Sequence, residues 1–209
     1  MNQSLIATLA FVAGVFVVLA DGRSAVPLAA SLTGLALAPA AASVGGTPAA
    51  LVPLVLGSGA LLTSRVARTA AERLPAVPGL DPEVPVVVPL GGLFGPRSVR
   101  VIAGTLAIPA ASWVSLNVSV GGAAVASGAV FATAYLWLVG MVRLLRARAV
   151  DELAVGAAVV ALAAATGWLL EAGPGAIPEA AAVAGLAPGA AAVAGWLTGR
   201  HRRRSVVTP

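Results

Sequence analysis

Apolar residues run along this chain in long blocks, broken at intervals by glycine, proline or arginine. Seven blocks emerge, at roughly 3–20, 24–44, 47–65, 98–117, 121–143, 151–170 and 177–198. Each approaches the length that crosses about 30 Å of hydrocarbon at about 1.5 Å per residue. The breaks between them read as turns: Asp21-Gly22-Arg23, Gly45-Gly46-Thr47-Pro48, Gly121-Gly122 and Ala172-Gly173-Pro174-Gly175. Strand-like alternation is absent, which argues against a membrane β-barrel. The pattern therefore predicts an all-α, polytopic transmembrane helix bundle of about seven spans, forming one domain. Proline falls inside several spans (Pro27, Pro39, Pro53, Pro109, Pro188), and local kinks are expected there. The opening MNQSLIATLAF has no basic segment before its apolar run and reads as the start of a retained helix.

Arginine placement tests this count independently. All 13 Lys-or-Arg positions are arginine. Arg23 follows the first span, and Arg65, Arg68, Arg73, Arg97 and Arg100 flank the connection between the third and fourth. Arg143, Arg146 and Arg148 follow the fifth, and Arg200, Arg202, Arg203 and Arg204 follow the seventh. Seven spans with the N-terminus outside put every arginine and the C-terminus in the cytoplasm, as the positive-inside rule asks. One span more or fewer would scramble the alternation. The expected location is the cytoplasmic (inner) membrane of the cell, multi-pass.

The long connection at 66–97 contains AERLPAVPGLDPEVPVVVPLGGLFGP, from Ala71 to Pro96. Its prolines forbid a continuous helix, and its apolar part is too short to span. Interfacial seating and docking on a neighbouring subunit are both open for it. The stretches from Arg23 to Arg65 and from Arg148 to Arg200 each read as helix, Gly-rich turn ending in Pro, and helix, a weak similarity that Ala/Gly bias also generates. Trp137, Trp168 and Trp196 are expected near span ends and Trp113 mid-span. Abundant Gly, Ala and Ser allow close helix approach. The segment 199–209 is a basic tail.

Composition agrees: 59% of residues are hydrophobic and 10% charged, with a mean hydropathy of +0.97. The net charge of +5 does not indicate nucleic acid, because the arginines lie in blocks between apolar runs. Zero cysteines exclude disulfides, thiolate metal sites and cysteine-held iron–sulfur clusters. The single histidine, His201, lies in the basic tail and supports no metal site. Without lysine there is no nucleotide-binding GxxxxGK[ST] loop. Ser112, Ser115 and Ser119 have no His or Lys partner in the sequence pattern for nucleophilic chemistry. No catalytic residue, cofactor or metal is expected.

Ion transport normally leaves ionisable residues deep in the spans. Here Asp21, Glu72, Asp81, Glu83, Asp151 and Glu152 all belong to the arginine-bearing side. Only Glu171 and Glu179, in LLEAGPGAIPEAA, lie on the other, and they are the candidate proton-handling groups. The simpler reading is helix punctuation, because Glu179 follows Pro178 at a helix start where a carboxylate suits the dipole. Asn117 and Ser112 are candidates either for a polar path or for helix contacts, the commoner use of neutral polar residues in membranes.

Two stretches carry a family resemblance. One is YLWLVGMVRLLRARAVDELAVGAAVVAL followed by GPGAIPEAAAVAGLAPGAAAVAGWLTGRHRRR; the other is AVPLAASLTGLALAPAAASVGGTPAALVPLVLGSGALLTSRVAR. With the seven-span plan, they resemble the hydrogenase-4 component E family, membrane subunits of complex I-like hydrogenases and formate hydrogenlyases. The C-terminal part of that family is similar to the K subunit of complex I. The resemblance implies other membrane subunits and a soluble arm as partners, and it carries over one position, Glu179. Family members tend to have an acidic residue in the penultimate helix and a lysine in the third. Here those regions read VGAAVVALAAATG and LVLGSGALLTS, with neither. The expected function is thus a non-catalytic subunit of a complex I-like redox or hydrogenase assembly, anchoring the membrane arm and adjoining a proton path. The alternatives are a small permease for a neutral solute, with Asn117 and Ser112 on its path, and a free-standing membrane scaffold.

Overall fold

The computed structural model describes residues 3–20, 25–73, 97–118, 127–147 and 150–207. The side chains of 97–99 and 201–207 lie outside that description. Among the described residues the fold is all-helical. In order come α1 (Gln3–Leu19), α2 (Ala25–Arg73), α3 (Arg97–Asn117), α4 (Ser127–Arg146), α5 (Val150–Ala172), a 3-10 turn (Pro174–Ala176), α6 (Ile177–Ala184) and α7 (Leu186–Val207). By length and composition α2, α4, α5 and the joined run Pro174–Arg200 are long and apolar enough to cross a membrane, while α1 is a shorter apolar helix.

The predicted spans 24–44 and 47–65 emerge as one element, α2, whose helical backbone is interrupted at Gly46 (φ 62°, ψ −151°). That conformation costs a residue with a Cβ, so glycine lets the chain fold back into two arms, 25–45 and 47–73. The second arm runs on to Arg73, taking in the first part of the expected 66–97 connection. The rest of that connection, 74–96, lies outside the described residues, as does the start of the predicted 121–143 span; α4 begins at Ser127. The expected tail stays helical as far as Val207. Between α6 and α7 the ladder weakens without turning. Pro188 has no N–H to give the carbonyl one turn back, Gly185 stays right-handed, and the next bond, Gly189 N–H to Gly185 O, stretches to 3.4 Å.

Small residues fix how the helices lie. Within α2, Gly34 and Gly57 meet backbone to backbone, and Ser31 Oγ donates to the Gly57 carbonyl at 3.2 Å, so the two arms are antiparallel. The second arm and α7 run parallel: Thr63 Oγ1 donates to Pro188 O at 3.1 Å, Gly195 abuts Ser64, and Gly199 abuts Arg68 and Ala71. The pair α4 and α5 is antiparallel, with Gly140 against Val159 and Val160, Gly156 against Leu144, and Gly167 against Thr133. Parallel packing joins α1 to α4, where Gly128 meets Gln3, Gly14 seats the ring of Tyr135, and Arg143 reaches Ala20.

The core follows from these crossings. Tyr135 is its largest buried side chain, stacked with Phe131 (centroids 5.7 Å apart) and near Phe11 (6.1 Å). Around it lie Ile6, Val17, Leu37, Leu136, Leu162, Leu169 and many alanines. Large apolar residues also cover the outside, among them Leu28, Leu51, Leu62, Leu106 and Val193, with all four tryptophans facing outward. An apolar exterior around an apolar core is what a bilayer solvates and water does not. Trp137 falls at the middle of the described helix α4 rather than near its end.

Candidate functional site

The packing gathers the charges at one end of the bundle. Gly104, near the start of α3, abuts Val18 at the end of α1, and α5 starts beside the end of α4. Since α2 returns through its antiparallel arm, Arg65, Arg68, Arg73, Arg100, Arg143, Arg146 and Arg200 all lie at this end, with Glu72, Asp151 and Glu152. The opposite end carries the Gly46 joint and the turn at Gly173–Pro174, which touch: a Cβ on Gly45 would lie 3.3 Å from Pro174 Cβ. Glu171 and Glu179 flank that turn.

Each carboxylate has a local reason for its place. Glu171 closes α5, which Gly173 terminates with a positive φ of 77°. Glu179 lies in the first turn of α6 directly after Pro178, where the missing proline N–H costs nothing and negative charge meets the positive helix end. Both side chains are exposed. Neither is enclosed by the bundle, so neither has the desolvated surroundings that normally accompany a buried proton relay.

Asn117 and Ser112 both belong to α3, which among the described residues packs chiefly against α4 and α1 and turns Leu106, Trp113 and Leu116 outward. Asn117 is exposed, and its Nδ2 donates to the Trp113 carbonyl of its own helix at 2.9 Å. Ser112 is half-buried, and its carbonyl accepts from Ser115 Oγ at 2.8 Å. The Asn117 amide is thus bonded within its own helix. Deeper hydroxyls do the same: Thr133, Thr166 and Thr198 donate to the carbonyls of Ala129, Leu162 and Ala194, each four residues back. Among the described hydroxyls, Ser31, Thr63 and Ser127, the last to Gln3 Oε1 at 2.9 Å, bridge distinct segments.

One charged residue departs from the surface role that its sequence position implies. Arg143 is 3% exposed, and its Nη2 donates to the carbonyl of Ala20, just past the end of α1. A guanidinium there satisfies a terminal carbonyl and complements the negative helix end, the chemistry of a C-cap supplied by another helix. The sequence showed it only as the first of three arginines after an apolar run. Among the described residues no cluster of three His, Cys, Asp or Glu side chains is placed to hold a metal ion. Comparison with family models, with characterised proteins and with solved structures found no match to this chain.

Proposed function

We propose that this protein is a non-catalytic integral membrane subunit that anchors a larger assembly, crossing the cytoplasmic membrane about seven times with its N-terminus outside. The observation that carries this reading is the character of the interior. Among the described residues its buried polar side chains are hydroxyls, mostly bound to their own helices, and one arginine bound to a helix end, while the carboxylates sit at the ends. Such an interior offers no relay for charge and no cluster for chemistry, yet its close-packed helices suit a rigid support. The arms of α2 and the joined α6–α7 supply the further crossings, and the one-ended arginines support the orientation. The peripheral α3, with its outward Leu and Trp residues, suits contact with another membrane subunit. A complex I-like redox or hydrogenase assembly, as the sequence resemblance implies, is the class of partner proposed.

Two experiments test this. Extraction in mild detergent should bring partner chains with the protein, and a chain that elutes alone would sink the subunit reading. The natural chain has no cysteine, so single cysteines report topology cleanly. Thr47→Cys and Gly175→Cys should react with a membrane-impermeant maleimide in intact cells, and Thr69→Cys only after lysis. Labelling of all three from one side would refute the orientation.

A further inference from the structure

At the arginine end, α7 crosses the second arm of α2 with no side chain between them, because Gly199 lies directly on the Arg68 carbonyl and near Ala71. That contact brings Arg68 of one helix beside Arg200, the next residue of the other. Arg68 is half-buried, and its Nε is shielded from solvent with no hydrogen-bond partner among the described residues. The Arg200 guanidinium lies over the Trp196 ring, 5.0 Å from its centre, and Trp196 is itself 40% exposed. Arg65, one turn before Arg68, is exposed. The facing carboxylate of this arm is Glu72, one turn beyond Arg68 and also exposed; Asp151 and Glu152 start α5 at the same end. Seven arginines against these three carboxylates leave the end strongly positive among the described side chains.

We propose that this crossing binds the phosphate of an anionic phospholipid at the cytoplasmic leaflet. The assignment rests on the membrane-spanning reading but not on the identity of any partner complex. A shielded guanidinium N–H calls for an acceptor, and phosphodiester oxygens match the guanidinium fork. Trp196 suits the depth where indoles meet headgroups, and its ring face holds the Arg200 guanidinium. Basic pockets between helices on the cytoplasmic side are suited to such headgroups.

The test is lipid retention by the purified full chain, read by native mass spectrometry with phosphatidylglycerol, cardiolipin or phosphatidylcholine added. The wild type should hold the two anionic lipids and not phosphatidylcholine. R68Q and R200Q should each weaken retention about five-fold, the size expected of one arginine beside an anionic headgroup. R100Q makes the same charge change at the same end, on α3, and should have no effect. Equal weakening by R100Q would overturn the site in favour of diffuse charge, and indifference to headgroup charge would overturn it outright. Inorganic phosphate alone, if it raises the melting temperature as much as phosphatidylglycerol, would overturn the lipid assignment in favour of a free anion. Should R68Q fail to fold, R200Q and the exposed R65Q keep the comparison with R100Q intact. Resistance of the membrane-bound chain to alkaline extraction tests the membrane reading separately.

Discussion

Gly57 is the position where one added carbon should do most damage. A Cβ there would lie 2.7 Å from the Ala30 carbonyl oxygen and 2.9 Å from Gly34 Cα. Both obstacles are backbone, so no side-chain rotation relieves them. Restoring ordinary contact, which begins at 3.4 Å, requires the two arms of α2 to part by about 0.7 Å. A gap of that size forfeits about a quarter to a half of the dispersion energy across the crossing. It also lengthens the Ser31 hydroxyl bond to the Gly57 carbonyl, already 3.2 Å, and an interhelical bond in a bilayer contributes about 0.6 kcal/mol. Overpacking of this kind costs about 1–3 kcal/mol. Opposing it, alanine gains up to about 1 kcal/mol over glycine in helix propensity.

Gly59 separates the two effects. It lies on the same arm, and a Cβ there meets nothing within 4 Å. Gly59→Ala therefore takes the propensity gain without the clash, and Gly57→Ala takes both. The gap in unfolding free energy between the two variants should be about 1–3 kcal/mol, with Gly57→Ala the less stable. Reversible unfolding in mixed micelles, followed by circular dichroism, measures it. Equal stability of the two variants would refute the backbone-to-backbone crossing.

Arg143→Gln should lower stability by about 1.5–3 kcal/mol, the scale of a hydrogen bond to a charged group, and thermal unfolding in detergent would record it. Thr33 is fully buried with no hydrogen-bond partner for its hydroxyl among the described residues, whereas Thr166 donates to Leu162. Thr33→Val should stabilise by up to about 1 kcal/mol, and Thr166→Val should be neutral or destabilising by the same assay. Glu179→Gln should remove no more than about 1 kcal/mol of helix-end stabilisation and leave proton translocation by the assembled complex intact. Lost translocation with normal assembly would return Glu179 to a working role.

Hydropathy blocks located the helices well, because long apolar runs follow from the cost of leaving backbone unpaired in an apolar surrounding. The helix α3 matches the predicted 98–117 stretch closely. The joint at Gly46 was legible as a turn but not as a single interrupted residue, since a Gly-Gly-Thr-Pro string fits either. Which glycines face a neighbour was not legible at all. Gly57 and Gly59 look alike in sequence, and only the helix face that meets the other arm tells them apart. Arg143 was hidden for a related reason: its partner, the Ala20 carbonyl, is a backbone group on a remote helix, and no residue type announces it. The positions of Glu171 at the end of α5 and Glu179 in the first turn of α6 were legible, because the proline and glycine that bound those helices are local signals.

The parallel contact of α7 with the second arm of α2 has a consequence for the order of biogenesis. Thr63 and Pro188 are 125 residues apart in sequence. At about 5–20 residues per second of synthesis, the glycine-lined partner reaches the arm on the order of ten seconds after the arm has emerged. During that interval Ser64 and the Arg68 backbone face lipid, another chain or the insertion machinery. The nascent protein therefore carries an open seam that α7 closes. Truncations just before Leu186 should consequently expose more of the molecule to quality-control proteases than their length implies.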